Sequence, residues 1–277
     1  MKANITCVVN DVAIPNSGLL SEHGLSFWIE TEGVVTLFDS GTSANVFTHN
    51  LTNLGLNPLK IEAVALSHAH YDHTGGLGVI LDQKPDMRVF AHSDIFTQRY
   101  SLKNGEYKNI GMSKEIELKL RRADLQLSNT STQILPGLWT TGEISERSEG
   151  EGGSANHFIR DENAWVPDCY RDDMSLVLDL GERLVVICGC CHAGLLNTLF
   201  HVKKAFSKPI SIVMGGTHLL AAEKAYLEYL IEKLEENFPG TRYFLNHCTG
   251  ESAIIFLSGV LGSRVTSFPS GSKITFE

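Results

Sequence analysis

The run Ser67–Gly76, SHAHYDHTGG, constrains the chain more than any other feature. It places His68, His70, Asp72 and His73 within six consecutive positions. All four are metal-ligand types, and imidazole with carboxylate suits Zn²⁺ as well as Fe²⁺, Mn²⁺ or Co²⁺. The preceding residues, Ile61–Leu66, are apolar and rich enough in β-branched types to read as a buried strand. The motif therefore sits on the turn that leaves a strand, where side chains converge without strand or helix spacing. Gly75 and Gly76 follow, where backbone passes close to a neighbour or adopts positive φ. A surface cluster of histidines would repel itself when protonated, and nothing else in the chain calls for one.

Composition narrows the field. With 277 residues the chain can bury a sizeable core, as a single domain of two similar halves. Acidic residues outnumber basic ones 32 to 23, which argues against a nucleic-acid partner for the chain as a whole. A local pocket for a phosphorylated small molecule stays compatible with that balance. No apolar run approaches the roughly 18 residues of a membrane span, and the start, MKANITCVVND, does not read as a secretory signal. The six cysteines are scattered, three of them between Cys188 and Cys191, so a reducing, cytoplasmic setting fits better than a disulfide framework.

The pattern predicts strands over Ile5–Val9, Leu25–Ile29, Val34–Phe38, Ile61–Leu66 and Arg88–Ala91. Further strands are expected over Leu176–Leu180, Leu184–Cys188, Ile210–Met214 and Arg242–Leu245, with a hairpin turn at Gly181-Glu182. Leu227, Leu230, Ile231 and Leu234 fall at helical spacing within a helix over 221–238, stopped by Pro239-Gly240. A second helix follows Gly194 and runs to Phe206. Residues 100–168 are more polar and less periodic, and Glu143–Asn156 holds four glutamates and three glycines. This stretch reads as an insertion or lid over the metal-site mouth, with a surface excursion as the alternative for 146–155.

These residues resemble a known family. SHAHYDH is similar to the H-x-H-x-D-H signature of the metallo-β-lactamase superfamily, and Phe38-Asp39-Ser40-Gly41 resembles its early Asp-x-Gly turn. Asp172–Leu176, Cys188–Gly194, Gly215–Leu219 and Asn246–Gly250 resemble a subfamily of 7,8-dihydropterin-6-methyl-4-(β-D-ribofuranosyl)-aminobenzene-5′-phosphate synthases, also described as metal-dependent hydrolases of the β-lactamase superfamily. The likeness covers nearly the whole chain. It implies an α/β (α+β) fold, an αββα four-layer sandwich, where the pattern alone gives only mixed α/β.

By resemblance, His68 and His70 bind one metal ion, and Asp72 and His73 the other. His192 becomes the third ligand of the first ion, and His247 completes the second. Family members usually carry a bridging Gly-Asp where this chain has Gly189-Cys190. Cys190 is either a thiolate ligand or a core cysteine. His218 reads as a substrate-holding residue, with Thr217 and Thr249 as phosphate contacts. The family's middle histidine is absent, and Asp172 or Asp173 stands in that region, leaving one or two divalent transition-metal ions open, Zn²⁺ foremost. His23, His49, His92, His157 and His201 default to surface or core positions, with His157 set apart because it ends the acidic loop.

Three functions follow. The first is the subfamily's condensation of a hydroxymethyl-dihydropterin diphosphate with an aminobenzene ribofuranosyl phosphate, diphosphate leaving. The second is a metallohydrolase that turns metal-generated hydroxide on a phosphodiester, lactone or ester, with Asp72 orienting the attack. The third is a non-catalytic ligand-binding relative, against which the intact His68, His70, Asp72 and His73 weigh.

Overall fold

The computed structural model describes residues 1–162 and 164–277, which form two compact units. The first comprises Lys2–Asn129, Gly153–Asp172 and Pro269–Glu277. The second comprises Met1, Thr130–Gly152 and Asp173–Phe268.

The first unit is built on a seven-stranded sheet. Its order is Lys273–Phe276, Ala3–Val9, Ser26–Thr31, Val34–Phe38, Ile61–Ala65, Arg88–Ala91 and Asp124–Leu127. The strands from Lys273–Phe276 to Val34–Phe38 pair antiparallel. Glu32 and Gly33, at φ 49° and 83°, make the two-residue turn between Thr31 and Val34. That left-handed pair matches the twist of the flanking strands. From Val34–Phe38 onward the pairing is parallel, which requires crossovers. The first crossover is the helix Ala44–Asn53, started by Ser43, whose hydroxyl accepts the Val46 N–H. Its buried Phe47 and Leu51 belong to the core cluster that includes Val64, Leu77 and Ile80.

A four-stranded antiparallel sheet belongs to the same unit, in the order Ala164–Pro167, His157–Asp161, Arg99–Lys103 and Glu106–Asn109. Residues 100–168, expected as one insertion, are thus divided. Asp124–Leu127 joins the large sheet, while Gln133–Leu135 and Leu138–Thr140 belong to the second unit.

The second unit has its own seven-stranded sheet. The order is Val265–Ser267, Arg242–Leu245, Ile210–Gly215, Leu184–Cys188, Ser175–Asp179, Leu138–Thr140 and Gln133–Leu135. Ser175–Asp179 and Leu184–Cys188 form the hairpin expected at Gly181. The strands from Leu184–Cys188 to Val265–Ser267 run parallel, joined through the helices Leu195–Phe206, Lys224–Asn237 and Glu251–Leu261. Leu184–Cys188 is buried along its whole length, which explains its unalternating apolar sequence. Fully burying a side chain of this size contributes about 1.5–3 kcal/mol. Leu199, Leu230 and Leu257, one from each helix, pack in one cluster with Val186, Val213 and Tyr243.

Among the described residues no helix is long and apolar enough to cross a membrane.

Candidate metal centre

In each unit the ligand-type residues follow the C-terminal ends of parallel strands. In the first unit, Asp39 follows Val34–Phe38, and Ser67–His73 follow Ile61–Ala65. In the second, Cys190 and His192 follow Leu184–Cys188, His218 follows Ile210–Gly215, and His247 follows Arg242–Leu245. Binding in open α/β sheets favours this end, because loops there adapt while the strands hold still.

Asp39 organises the histidine motif. It is fully buried, in a left-handed conformation at φ 57°. Its Oδ1 accepts the Ser67 N–H at 2.8 Å, and its Oδ2 accepts the Ser67 hydroxyl at 2.6 Å. The same Oδ2 lies 2.7 Å from Nδ1 of His73. Ser67 Oγ lies 2.8 Å from Nδ1 of His68. The hydroxyl has one proton and gives it to Asp39, so His68 donates its Nδ1–H to Ser67. His73 likewise donates Nδ1–H to Asp39. Both rings are thereby held in the tautomer whose lone pair is on Nε2, the arrangement in which histidines ligate metal.

His68 Nε2 stands 2.9 Å from His70 Nδ1. Two nitrogens at tetrahedral angles on one Zn²⁺ are separated by about 3.4 Å, so the spacing is close to that of a chelating pair. Burial drives the His70 pKa well below its ordinary value, the Asp72 charge opposing this in part. Neutral imidazole is the ligating form. Asp72 Oδ2 lies 3.5 Å from His73 Nε2 and 3.3 Å from Nε2 of His23, whose Nδ1 is 2.9 Å from Asp11. Gly75 and Gly76 close the loop by close approach, not by positive φ. A Cβ on Gly75 would collide with the Thr42 carbonyl, and one on Gly76 with that of Ser40.

Behind the motif is a buried ion network. Arg99, 1% exposed, donates from Nε to Asp168 at 2.9 Å and from Nη2 to Asp172 at 2.6 Å. Asp172 Oδ2 accepts the N–H of Ala69, between His68 and His70, at 2.9 Å. His157 joins this unit's site: its ring meets that of His70 edge-on at 5.5 Å, and its Nδ1 pairs with the Tyr170 hydroxyl at 2.8 Å. His23 is an exposed histidine, as expected, and His157 a half-buried one; each nonetheless touches a motif residue. His49 and His201 bond backbone carbonyls of Gly18 and Thr141, and His92 accepts the Asp94 N–H.

The second unit brings together the late candidates. His192 is fully buried and donates Nδ1–H to the Gly152 carbonyl at 3.2 Å, again leaving Nε2 as the lone-pair nitrogen. The Gly152 N–H returns a bond to the His192 carbonyl. Glu149 and Asn197 also exchange hydrogen bonds, so this end of the acidic loop is tied to the segment that carries His192. Asp173 is 1% exposed and accepts the Ala193 N–H at 2.9 Å. Burial raises its pKa to about 6 against the pull of the Ala193 and His192 amides.

Cys190, Cys248 and His218 each offer a ligand atom, and the three atoms lie within 4.8 Å of one another. The sequence reading singled out Cys190 and passed over Cys248, although Cys248 directly follows His247. Burial opposes ionisation of Cys248, but its hydrogen bond with Cys190 and the neighbouring His247 and His218 hold its thiol well below the usual range. Cys191 points to other uses: Cys188, burial and Asp173 push its thiol up, and its Sγ lies 3.2 Å from the Thr198 hydroxyl. Thr217 and Thr249 are buried and pair with each other, their hydroxyls 2.9 Å apart.

Residues 22–157 match the family described as Metallo-beta-lactamase superfamily. Over 264 residues the chain is 31% identical to the 7,8-dihydropterin-6-methyl-4-(beta-D-ribofuranosyl)-aminobenzene-5′-phosphate synthase of Methanocaldococcus jannaschii, covering 90% of this chain and 88% of that protein. The chain belongs to the metallo-β-lactamase superfamily. A second relative from M. jannaschii, the uncharacterized protein MJ0448, is 30% identical over 86% of this chain and 88% of its own. The crystal structure of Tm1679, a metal-dependent hydrolase of the beta-lactamase superfamily, superposes with a TM-score of 0.82 at 28% identity, covering 98% of both chains. The mixed α/β architecture with its several sheets is thus the metallo-β-lactamase fold. Metal binding is a general property of the superfamily, and the buried His, Asp and Cys side chains suit it chemically.

Proposed function

We propose that this chain is a metal-dependent enzyme acting on a phosphorylated, pterin-like small molecule, in the manner of dihydropterin–aminobenzene ribofuranosyl phosphate synthase. The observation that carries the reading is the Asp39–Ser67 pair, which sets the tautomers of His73 and His68 together. A pair of histidines so oriented fits a divalent transition-metal ion far better than a surface role. The long match to the M. jannaschii synthase supports the substrate class.

His68, His70 and His192 are the residues proposed to hold one ion, and Asp72, His73 and His247 a second. Zn²⁺ is the first choice for this donor set, with Fe, Mn or Co as alternatives. Such ions supply Lewis-acid stabilisation of a leaving diphosphate and a nucleophile at neutral pH. Asp72 is proposed to orient the attacking group. His218 and Asp173 are proposed to face substrate, while Thr217 and Thr249, bonded to each other, brace the two loops that carry His218 and His247. A cytoplasmic small-molecule enzyme is the setting this reading calls for.

The second reading is hydrolysis of a phosphodiester, lactone or ester, and it is favoured by the likeness to the metal-dependent hydrolase Tm1679. One assay separates the two. Purified protein of measured metal content is given hydroxymethyl-dihydropterin diphosphate with and without the arylamine phosphate, and diphosphate release is followed. Release that depends on the amine supports the synthase. Release without it moves the hydrolase forward. Full metal content and turnover in a His68→Ala variant would overturn the site itself.

A further inference from the structure

We propose that His23 is a positioning residue for Asp72. With Asp11 it sets the direction of the carboxylate proposed to hold an ion and to orient the attacking group, and its role rests on that reading of Asp72. His23 lies outside the histidine motif and reaches it only through the fold of the first unit.

Carboxylates and imidazoles alternate through this part of the unit. Asp39 Oδ2 lies 2.7 Å from His73 Nδ1, and His73 Nε2 lies 3.5 Å from Asp72 Oδ2. The same oxygen of Asp72 lies 3.3 Å from His23 Nε2, and His23 Nδ1 lies 2.9 Å from Asp11 Oδ2. Asp72 Oδ2 is therefore flanked by two imidazoles, each braced at its far nitrogen by a carboxylate. Asp39 braces from the fully buried side and Asp11 from the surface. A carboxylate that ligates metal is itself held by hydrogen bonds, which fix the direction of its lone pairs. His73 is a ligand candidate in its own right. His23 meets Asp72 from outside the motif and can hold its carboxyl group against rotation.

The backbone makes His23 a fixed point, although its side chain is 56% exposed. Asp11 takes hold of the segment twice. Its Oδ1 accepts the Gly24 N–H at 3.4 Å, beside the Oδ2 contact to the ring. Leu25 donates its N–H to the Asp72 carbonyl at 3.2 Å. On the other side of His23, Glu22 accepts the Thr42 and Ser43 amides at 3.0 and 2.9 Å and the Ser43 hydroxyl at 2.6 Å. The Thr42 hydroxyl donates to the carbonyl of His23 itself. Gly24 permits the close approach: its φ is 150°, and a Cβ there would stand 2.7 Å from the Asp72 carbonyl oxygen. A histidine that served only to be solvated would need no anchors on both sides, one of them the Asp72 backbone.

The test is competition between the full chain and a chromogenic chelator for Zn²⁺, with urea unfolding of the metal-free proteins alongside. His23→Ala should weaken Zn²⁺ binding by about tenfold at an unchanged urea midpoint, as expected for losing the partner of a metal ligand. His23→Gln should recover most of that affinity, because its amide can still donate to Asp72, and Asp11→Asn should lose less than His23→Ala. Wild-type affinity in His23→Ala would overturn the proposal. Equal losses in the alanine and glutamine variants would overturn it too, because His23 would then act as a ligand and not as a brace. So would a urea midpoint that falls in step with affinity, the mark of a residue needed only for folding. A wild type that binds no Zn²⁺ would refute the metal reading and this role with it, a result distinct from the other three.

Discussion

Arg99 Nη2 lies 2.6 Å from Asp172 Oδ1, and the other oxygen of the same carboxylate holds the Ala69 amide between His68 and His70. A guanidinium buried to 1% exposure thereby reaches the histidine loop through a single carboxylate. Two carboxylates share its charge, so the group is neither unpaired nor free to turn.

Arg99→Met should leave Asp168 and Asp172 buried without their cation. Breaking a buried pair in this way costs about 3–5 kcal/mol. Urea denaturation should show that loss, and metal affinity should fall with it as the Ala69 loop relaxes. A variant with wild-type stability and metal content would mean that the network is not holding the loop.

Asp39→Asn keeps the shape but removes the acceptor that fixes His73 and orients Ser67. Metal affinity should drop about 10–100-fold, with a smaller drop for Ser67→Ala, which leaves the direct Asp39–His73 contact. Competitive titration with a chromogenic chelator measures both.

The pH dependence of the metal-free protein should carry the mark of Asp173. Its folded pKa, about 6, is above the ordinary 3.8, so the folded state holds the proton more tightly. The stability from this group is present below about pH 4 and is lost as pH rises towards 6, amounting to about 3 kcal/mol if burial is complete. His70 acts in the opposite sense, because its lowered pKa makes the folded state release a proton that the unfolded chain keeps. The difference between wild type and Asp173→Asn isolates the first effect. Parallel stability curves from pH 4 to 6, with chelator present, would refute it.

From the sequence, deleting residues 146–155 removes a lid and should alter substrate affinity more than metal binding. The paired hydrogen bonds between Gly152 and His192 change that expectation. The deletion should now lower metal affinity as well as substrate affinity, and equilibrium dialysis would detect it. Unaltered metal binding would return the segment to a purely substrate-facing role.

The central strands were legible because burial on both faces leaves an uninterrupted apolar run. Val34–Phe38, Arg88–Ala91, Leu184–Cys188 and Arg242–Leu245 are found with the expected bounds. The edge and insertion strands were not, since Arg99–Lys103 and His157–Asp161 alternate weakly and pair across a gap of more than fifty residues. The histidine motif announced itself through local spacing. Asp39 was legible as part of a turn but not as the partner of His73, a contact across 34 positions. His23, Arg99 and Cys248 offered no spacing rule at all, because tertiary approach alone gives them their neighbours.

Asp39, Cys191, His218 and His247 all adopt left-handed backbone, with φ between 47° and 61°. Glycine would relieve strain at each, worth about 1–3 kcal/mol, while deleting a side chain placed at or beside the proposed chemistry. A laboratory selection for thermal robustness alone should therefore favour glycine only where the lost side chain costs less than the strain, which excludes Asp39, whose carboxylate meets three buried donors. Tolerance to heat and competence in chemistry would then separate, and a library scored on both traits would reveal which of the four side chains the enzyme can least do without.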